Sequence, residues 1–140
     1  MGRIRYLLDT NILSEPARRE PNHRVMQRFA QHDGEYVTAS IVWHELHYGC
    51  ALLPDSKRKF QLQSYLSILK ENGLLILPYD HAAAEWFAIQ RSTLKAQGKT
   101  PSYADGEIAA IAAVNNLTLV TRNTMDFEDY QDLALDNWFA

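Results

Sequence analysis

Five short, mostly apolar runs punctuate the chain, at residues 4–8, 36–39, 74–77, 117–121 and, marginally, 133–135. Each closes on a polar residue, a proline or the start of a new pattern, as buried strands do. Between them lie longer stretches with the spacing of amphipathic helices. Residues 22–31 place Val25, Met26 and Phe29 inward, and Gly34 ends that segment. Ser40 is a natural cap for a helix over 41–53, and Pro54-Asp55-Ser56 breaks the chain before a basic-faced helix running to about Glu71. Asn72-Gly73 is a helix C-cap signal. Asp80 opens a long helix through Ala82, Ala83, Trp86, Phe87, Ile89 and Leu94 to Gly98, and Pro101-Ser102 starts another over 103–115. Pro16 and Pro21 bracket a loop, and residues 125–130 form a turn or short helix.

Strands alternating with helices predict an α/β protein, a three-layer α/β/α sandwich around a parallel sheet of four to five strands. In such sheets ligands bind beyond the carboxyl ends of the strands, where strand order reverses. At 140 residues the chain is expected to be one domain, 1–140, with one core. No repeat or low-complexity linker divides it.

Four acidic signatures fall where this pattern places strand ends or helix faces: Leu-Leu-Asp9-Thr-Asn, Trp-His-Glu45-Leu, Tyr-Ala-Asp105-Gly and Thr-Arg-Asn-Thr-Met-Asp126-Phe. Each has a structural explanation of its own. Asp9 can cap a helix, Glu45 can be a solvated helix former, Ser102-x-x-Asp105 resembles a capping box, and Asn123 with Asp126 suits an Asx turn. No single structural job explains all four. Asn11 adds an oxygen beside Asp9, and Thr121, Asn123 and Asp126 offer three at one loop. Asp105 shares a small apolar helix face with Ile108, Ala109 and Ala112, Gly106 leaves room for something bulky, and Glu107 faces away into solvent. A set of carboxylates meeting at the mouth of one sheet suits a hard divalent cation.

Composition removes other chemistries. The glycines are isolated, so no phosphate-binding loop exists, and Gly-x-Ser-x-Gly is absent. His44 and His47 flank Glu45, one residue short of the His-Glu-x-x-His zinc pair. His23, His32 and His81 carry no visible partner pattern. Cys50, the single cysteine, reads as a core residue, rules out an internal disulfide and fits a reducing cytoplasm. No apolar stretch approaches the ~20 residues needed to span a bilayer, and the start lacks a signal-peptide or myristoylation pattern. A net charge of −3 gives no global pull toward nucleic acid, yet basic residues are grouped: Arg18, Arg19 and Arg24; Lys57, Arg58 and Lys59; Arg91, Lys95 and Lys99.

On Leu-Leu-Asp9-Thr-Asn-Ile, Glu45-Leu within Ser-Ile-Val-Trp-His-Glu-Leu-His-Tyr-Gly, Asp105-Gly-Glu-Ile-Ala-Ala and Thr-Arg-Asn-Thr-Met-Asp126-Phe, the chain resembles PIN-domain proteins, specifically the VapC-type toxins of toxin–antitoxin pairs. The resemblance covers essentially the whole chain. It implies a PIN-like α/β/α fold, Mg²⁺ or Mn²⁺ held by three or four acids, endoribonuclease activity, a cognate antitoxin partner and homodimerisation. Carried over by position, it points to Asp9, Glu45, Asp105 and Asp126 as catalytic. Asp9, Glu45 and Asp105 hold the metal directly or through water, supported by Thr10, Asn11, Thr121 and Asn123. Some relatives carry the fourth acid where this chain has Asn123, which leaves three or four ligands open. Arg91, Lys95, Lys99 and Arg122 are the candidates for contacts to RNA phosphates. The alternative reading is a non-catalytic metal-binding module that binds DNA or a partner protein within a complex.

Overall fold

The computed structural model describes residues 3–140; Met1 and Gly2, part of the N-terminal segment read for signals, lie outside them. Five strands form one sheet: β1 (Tyr6–Leu8), β2 (Tyr36–Ala39), β3 (Ile76–Leu77), β4 (Thr118–Val120) and β5 (Leu135–Asp136). Six helices connect or cover them: α1 (Thr10–Leu13), α2 (His23–Gln31), α3 (Ser40–Leu52), α4 (Lys57–Glu71), α5 (His81–Ala96) and α6 (Tyr103–Val114). The strand order is β3-β2-β1-β4-β5, with every pairing parallel. The expected α/β sandwich is therefore found, with the third strand shortened to 76–77 and the fifth lying at 135–136 rather than 133–135.

The chain moves outward from β1 through β2 to β3, then crosses back to set β4 on the other side of β1. Strand order reverses between β1 and β4, which opens a crevice at their carboxyl ends. Leu8 pairs with both Thr38 and Val120, so Asp9 leaves the sheet between the ends of two neighbours. Leu7, Leu8, Val37, Leu119 and Val120 are fully buried, as strands covered on both faces must be. Thr38, buried among them, donates its hydroxyl to the Leu8 carbonyl at 2.8 Å.

Several expectations need correction. Met26 is 38% exposed; α2 buries Val25 fully and leaves Phe29 half-buried, because the inward stripe is only one residue wide. Ile89 is 68% exposed, and its neighbour Gln90 is buried instead, accepting the backbone N–H of Gln131 at 3.0 Å. A buried amide with a backbone partner costs little, so polarity alone misjudged which face turns inward. Pro16 does not sit in an open loop but in a 3₁₀ turn (Glu15–Ala17), where its fixed φ suits a helix start. Glu15 is buried there and accepts the N–H of Asn22 at 2.8 Å, tying the two prolines' segment together. His32 has partners after all: Glu35 at 2.8 Å, and the ring of the fully buried Trp138, stacked at 5.6 Å.

Cys50 is buried in the core, as read. No helix among the described residues is long and apolar enough to cross a membrane.

Candidate active site

Asp9 stands at the carboxyl end of β1, where strand order reverses. It caps α1, its Oδ1 accepting the Thr10 N–H at 2.7 Å, while Oδ2 accepts the Thr121 hydroxyl at 2.8 Å. The capping reading was correct and incomplete, since the second oxygen is held by a strand neighbour. Thr121 Oγ1 in turn accepts the N–H of Asn123 at 3.1 Å, and Asn11 Oδ1 accepts the N–H of Arg122 at 3.1 Å. The loops after β1 and β4 are thus stitched together through four of the residues named from the sequence.

Asp9 is only 7% exposed. Burial pushes its carboxyl above the ordinary 3.8, the bonds from Thr10 and Thr121 pull the other way, and the charge of Asp126 adds to the rise. Glu45 projects from the second turn of α3 and stays open to solvent on one side. Partial burial raises its carboxyl first, then the charges of Asp9 and Asp105. Asp105 lies in the first turn of α6, with its backbone N–H donated to the Ser102 hydroxyl at 3.2 Å. Burial raises it, Ser102 opposes, and Asp9 and Asp126 contribute to the rise. The charge of Asp9 thus reaches Glu45 and Asp105, and that of Asp126 reaches Asp9 and Asp105.

The Thr10 hydroxyl lies close enough to Asp9 and Glu45 to favour their ionised forms, yet meets neither with hydrogen-bond geometry. It is a buried oxygen without a partner, aimed among carboxylates. Among the described residues, no three His, Cys, Asp or Glu side chains stand close enough to grip one ion directly. The donor set is nevertheless all oxygen and strongly negative. That suits Mg²⁺, which keeps several waters and takes one or two carboxylates directly, better than zinc. His47 meets the Trp43 ring edge-on at 4.7 Å and His44 stacks against Tyr48 at 6.3 Å, so both imidazoles pack on aromatic neighbours.

Glu107 does not face away into solvent as its position on α6 suggests. It is half-buried and lines a cavity of about 540 Å³ with Glu45, Tyr79 and His44. Residues two apart on a helix do not share a face, so the spacing from Asp105 gave no signal for this placement. Gly106 does make room for something bulky: a Cβ there would overlap the Phe87 ring, which occupies the space. Helices α5 and α6 meet at that point, so the depth of Asp105 is set by an aromatic ring on the neighbouring helix. Tyr130, whose buried hydroxyl has no partner, is pushed up to about 12 by burial and by Asp105.

The basic candidates divide. Arg91, Lys95 and Lys99 share one cavity of about 610 Å³, with Arg91 donating to the Tyr103 hydroxyl at 2.9 Å and Lys99 paired with Asp129 at 3.1 Å. Arg122 lies elsewhere, its guanidinium 4.4 Å from the centre of the Phe139 ring.

The chain is similar to known proteins over most of its length. The PIN domain family model matches residues 6–133. Toxin FitB of Neisseria gonorrhoeae is 44% identical over 124 residues, 86% of this chain and 89% of that protein. Ribonuclease VapC2 of Haemophilus influenzae is 33% identical over 136 residues, 96% of this chain and 98% of that protein. The solved structure of FitAB bound to an IR36 DNA fragment superimposes with a TM-score of 0.86 at 37% identity, covering 96% of each chain.

Proposed function

The chain belongs to the PIN-domain family, and we propose that it is a metal-dependent endoribonuclease acting as the toxin of a toxin–antitoxin pair. What supports this reading is that Asp9, Glu45 and Asp105 lie near enough for their charges to act on one another, with Asp126 acting on Asp9 and Asp105. Like charges gathered at the end of a sheet destabilise the fold unless a cation offsets them, so their placement points to function.

Asp9, Glu45 and Asp105 would hold Mg²⁺, or Mn²⁺ in its place, directly or through water. When bound, the cation stabilises charge developing on the phosphate oxygens and acidifies water beside the phosphorus. The protein's own groups do the positioning. Thr121 fixes one oxygen of Asp9 and the Thr10 N–H fixes the other, leaving the remaining lone pairs directed into the crevice. Asn123 holds Thr121, and Asn11 holds the backbone at Arg122, so the loop carrying Asp126 is registered against Asp9. Asp126 is read as the fourth acid, with Asn123 supporting. Arg91, Lys95 and Lys99 line a cleft able to take phosphates.

The partners follow from the relatives. One is named a toxin and another a ribonuclease, and FitAB is an assembly on DNA. This chain acts on RNA, is held by a cognate antitoxin and pairs with a second copy. Exposed Tyr48, Leu52 and Phe60 on α3 and α4 supply apolar surface of the kind protein partners cover. The 140 residues act as one nuclease domain in the cytoplasm, where the lone buried Cys50 remains reduced.

The test uses purified protein freed of antitoxin, with RNA and Mg²⁺, beside Asp9→Asn and Asp105→Asn. Cleavage by the parent and its loss in both variants is expected. Equal cleavage by all three would mean a contaminant or a different site, and no cleavage by any would favour the non-catalytic module.

A further inference from the structure

We infer that the basic cleft between the 3₁₀ turn at Pro16 and the start of α4 is a subsite for the sugar–phosphate backbone of the RNA, outside the acidic crevice. The inference rests on the ribonuclease reading above. Ser14, Arg18, Arg19, Lys57, Arg58 and Gln61 line this cleft of about 960 Å³, and no carboxylate does. In a chain with net charge −3, four cations around one hollow reverse the local sign.

Two of those cations are already engaged. Arg18 lies 3.8 Å from Glu15, and Arg58 donates to the Ala17 carbonyl at 2.6 Å, which fixes the two walls against each other. Arg19 and Lys57 have no carboxylate partner among the described residues. Lys57, Arg58 and Lys59 also make up the first turn of α4, with no acid among them. Aligned peptide dipoles disfavour positive charge at that end, and only Lys59 is offset, by Asp55 at 3.7 Å. Such a local conflict persists where a ligand resolves it. Here the ligand is anionic.

Position favours a polymer that also visits the acids. Ser14 follows Asp9 through α1, so the cleft's rim is roughly 7 Å along the helix axis from Asp9. The last turn of α4 lies beside the start of β2, where Asn72, Gly73 and Leu74 share a cavity with Asp33 and Tyr36. Its first turn is therefore at the other end, on the side of the strands' carboxyl termini. One segment supplies Asp9, Ser14, Arg18 and Arg19, and a strand whose scissile phosphate sits at Asp9 continues along it. Guanidinium, ammonium, hydroxyl and amide donors recognise phosphate oxygens without reading base identity.

Binding of a single-stranded RNA oligomer to the full chain, on an Asp9→Asn background that blocks turnover, is followed by fluorescence anisotropy against salt. Reversing two exposed cations (Arg19→Glu with Lys57→Glu) is expected to reduce the slope of log affinity against log salt by about 1.4, from ~0.7 per lost phosphate contact. The milder Arg19→Gln/Lys57→Gln pair should move it in the same direction. With Asp9 restored, cleavage of a dinucleotide, whose single phosphate is the scissile one at Asp9 and leaves none for the cleft, should keep the parent's kcat and KM. An unchanged slope in both pairs overturns the inference. So does intact RNA binding with lost binding of polyglutamate, which would assign the cleft to an acidic polypeptide. Because the slope is read without turnover, absent cleavage in the parent contradicts the ribonuclease reading while this measurement stands.

Discussion

Thr121, the residue after β4, donates its hydroxyl to Oδ2 of Asp9 at 2.8 Å across 112 positions of sequence. Both residues are buried, and the bond lies at the point where strand order reverses. It ties the fold to the chemistry, because β1–β4 pairing brings Thr121 beside Asp9 and the bond favours the ionised form of Asp9.

Thr121→Val removes that donor while keeping the side chain's shape. Stability is expected to fall by about 1–3 kcal/mol, the cost of leaving a buried acceptor short of a partner, measured by chemical denaturation. The bond favours the ionised carboxylate, so its loss raises Asp9 further. The acid limb of the cleavage pH profile should shift to higher pH.

Stability should also depend on pH with a definite sign. Asp9, Glu45 and Asp105 are all raised, so the folded chain holds these protons more tightly than the unfolded chain. Their contribution is fully present below the ordinary carboxyl values and is lost as pH rises through the raised ones. At neutral pH, Asp105→Asn and Glu45→Gln should therefore melt at higher temperature than the parent, with the gain vanishing below pH 3.8. Thermal melts across pH measure this directly. A lower Tm for both variants at neutral pH would contradict the shared-field account.

Gly106→Ala tests how Asp105 is held. Alanine normally favours a helix interior by about 1 kcal/mol over glycine, but here its methyl would enter the Phe87 ring. Overpacking of this kind costs about 1–3 kcal/mol. The variant should be destabilised and cleave less well, and Phe87→Leu added to it should restore part of both. Denaturation and cleavage assays on the double-mutant cycle read the coupling.

The loop after β4 carries two residues, Asp126 and Asn123, whose roles at the fourth position can be separated. Asp126 acts on Asp9 and Asp105 through its charge, whereas Asn123 acts through its backbone N–H on Thr121. Asp126→Asn should lower cleavage by roughly 10–100-fold, the usual scale for groups supporting a metal site. Asn123→Ala should lower it far less. Steady-state rates on one RNA decide it.

Much of this was legible in the sequence, for physical reasons. Short apolar runs closed by Asp9 or Arg122 mark buried strands and where they end, and Asp80 and Ser102 mark where two helices begin. Ser40, expected as a cap, is instead the first residue of α3, whose N-cap is Ala39 with no side-chain bond. The acids stood out because no common structural role accounts for all of them. What escaped was tertiary. Nothing local says that Glu107 turns toward Glu45, that Gln90 is buried while Ile89 is not, or that the space at Gly106 belongs to Phe87. Each depends on which neighbouring helix arrives, and periodicity within one segment carries no such information. The hydroxyl of Thr10 was named as support, but its buried position without a hydrogen-bond partner only emerges once α1 and α3 are side by side.

The central claim is that acids from α1's cap, α3 and α6 serve one divalent cation. Anomalous diffraction from crystals of the full chain soaked in Mn²⁺ tests it most directly. The account predicts a single strong peak in the crevice, bonded to Asp9 and bridged to Glu45 and Asp105 directly or by water, and absent in crystals of Asp9→Asn. A peak bound by other residues, or none beside Asp9 at saturating Mn²⁺, would contradict it.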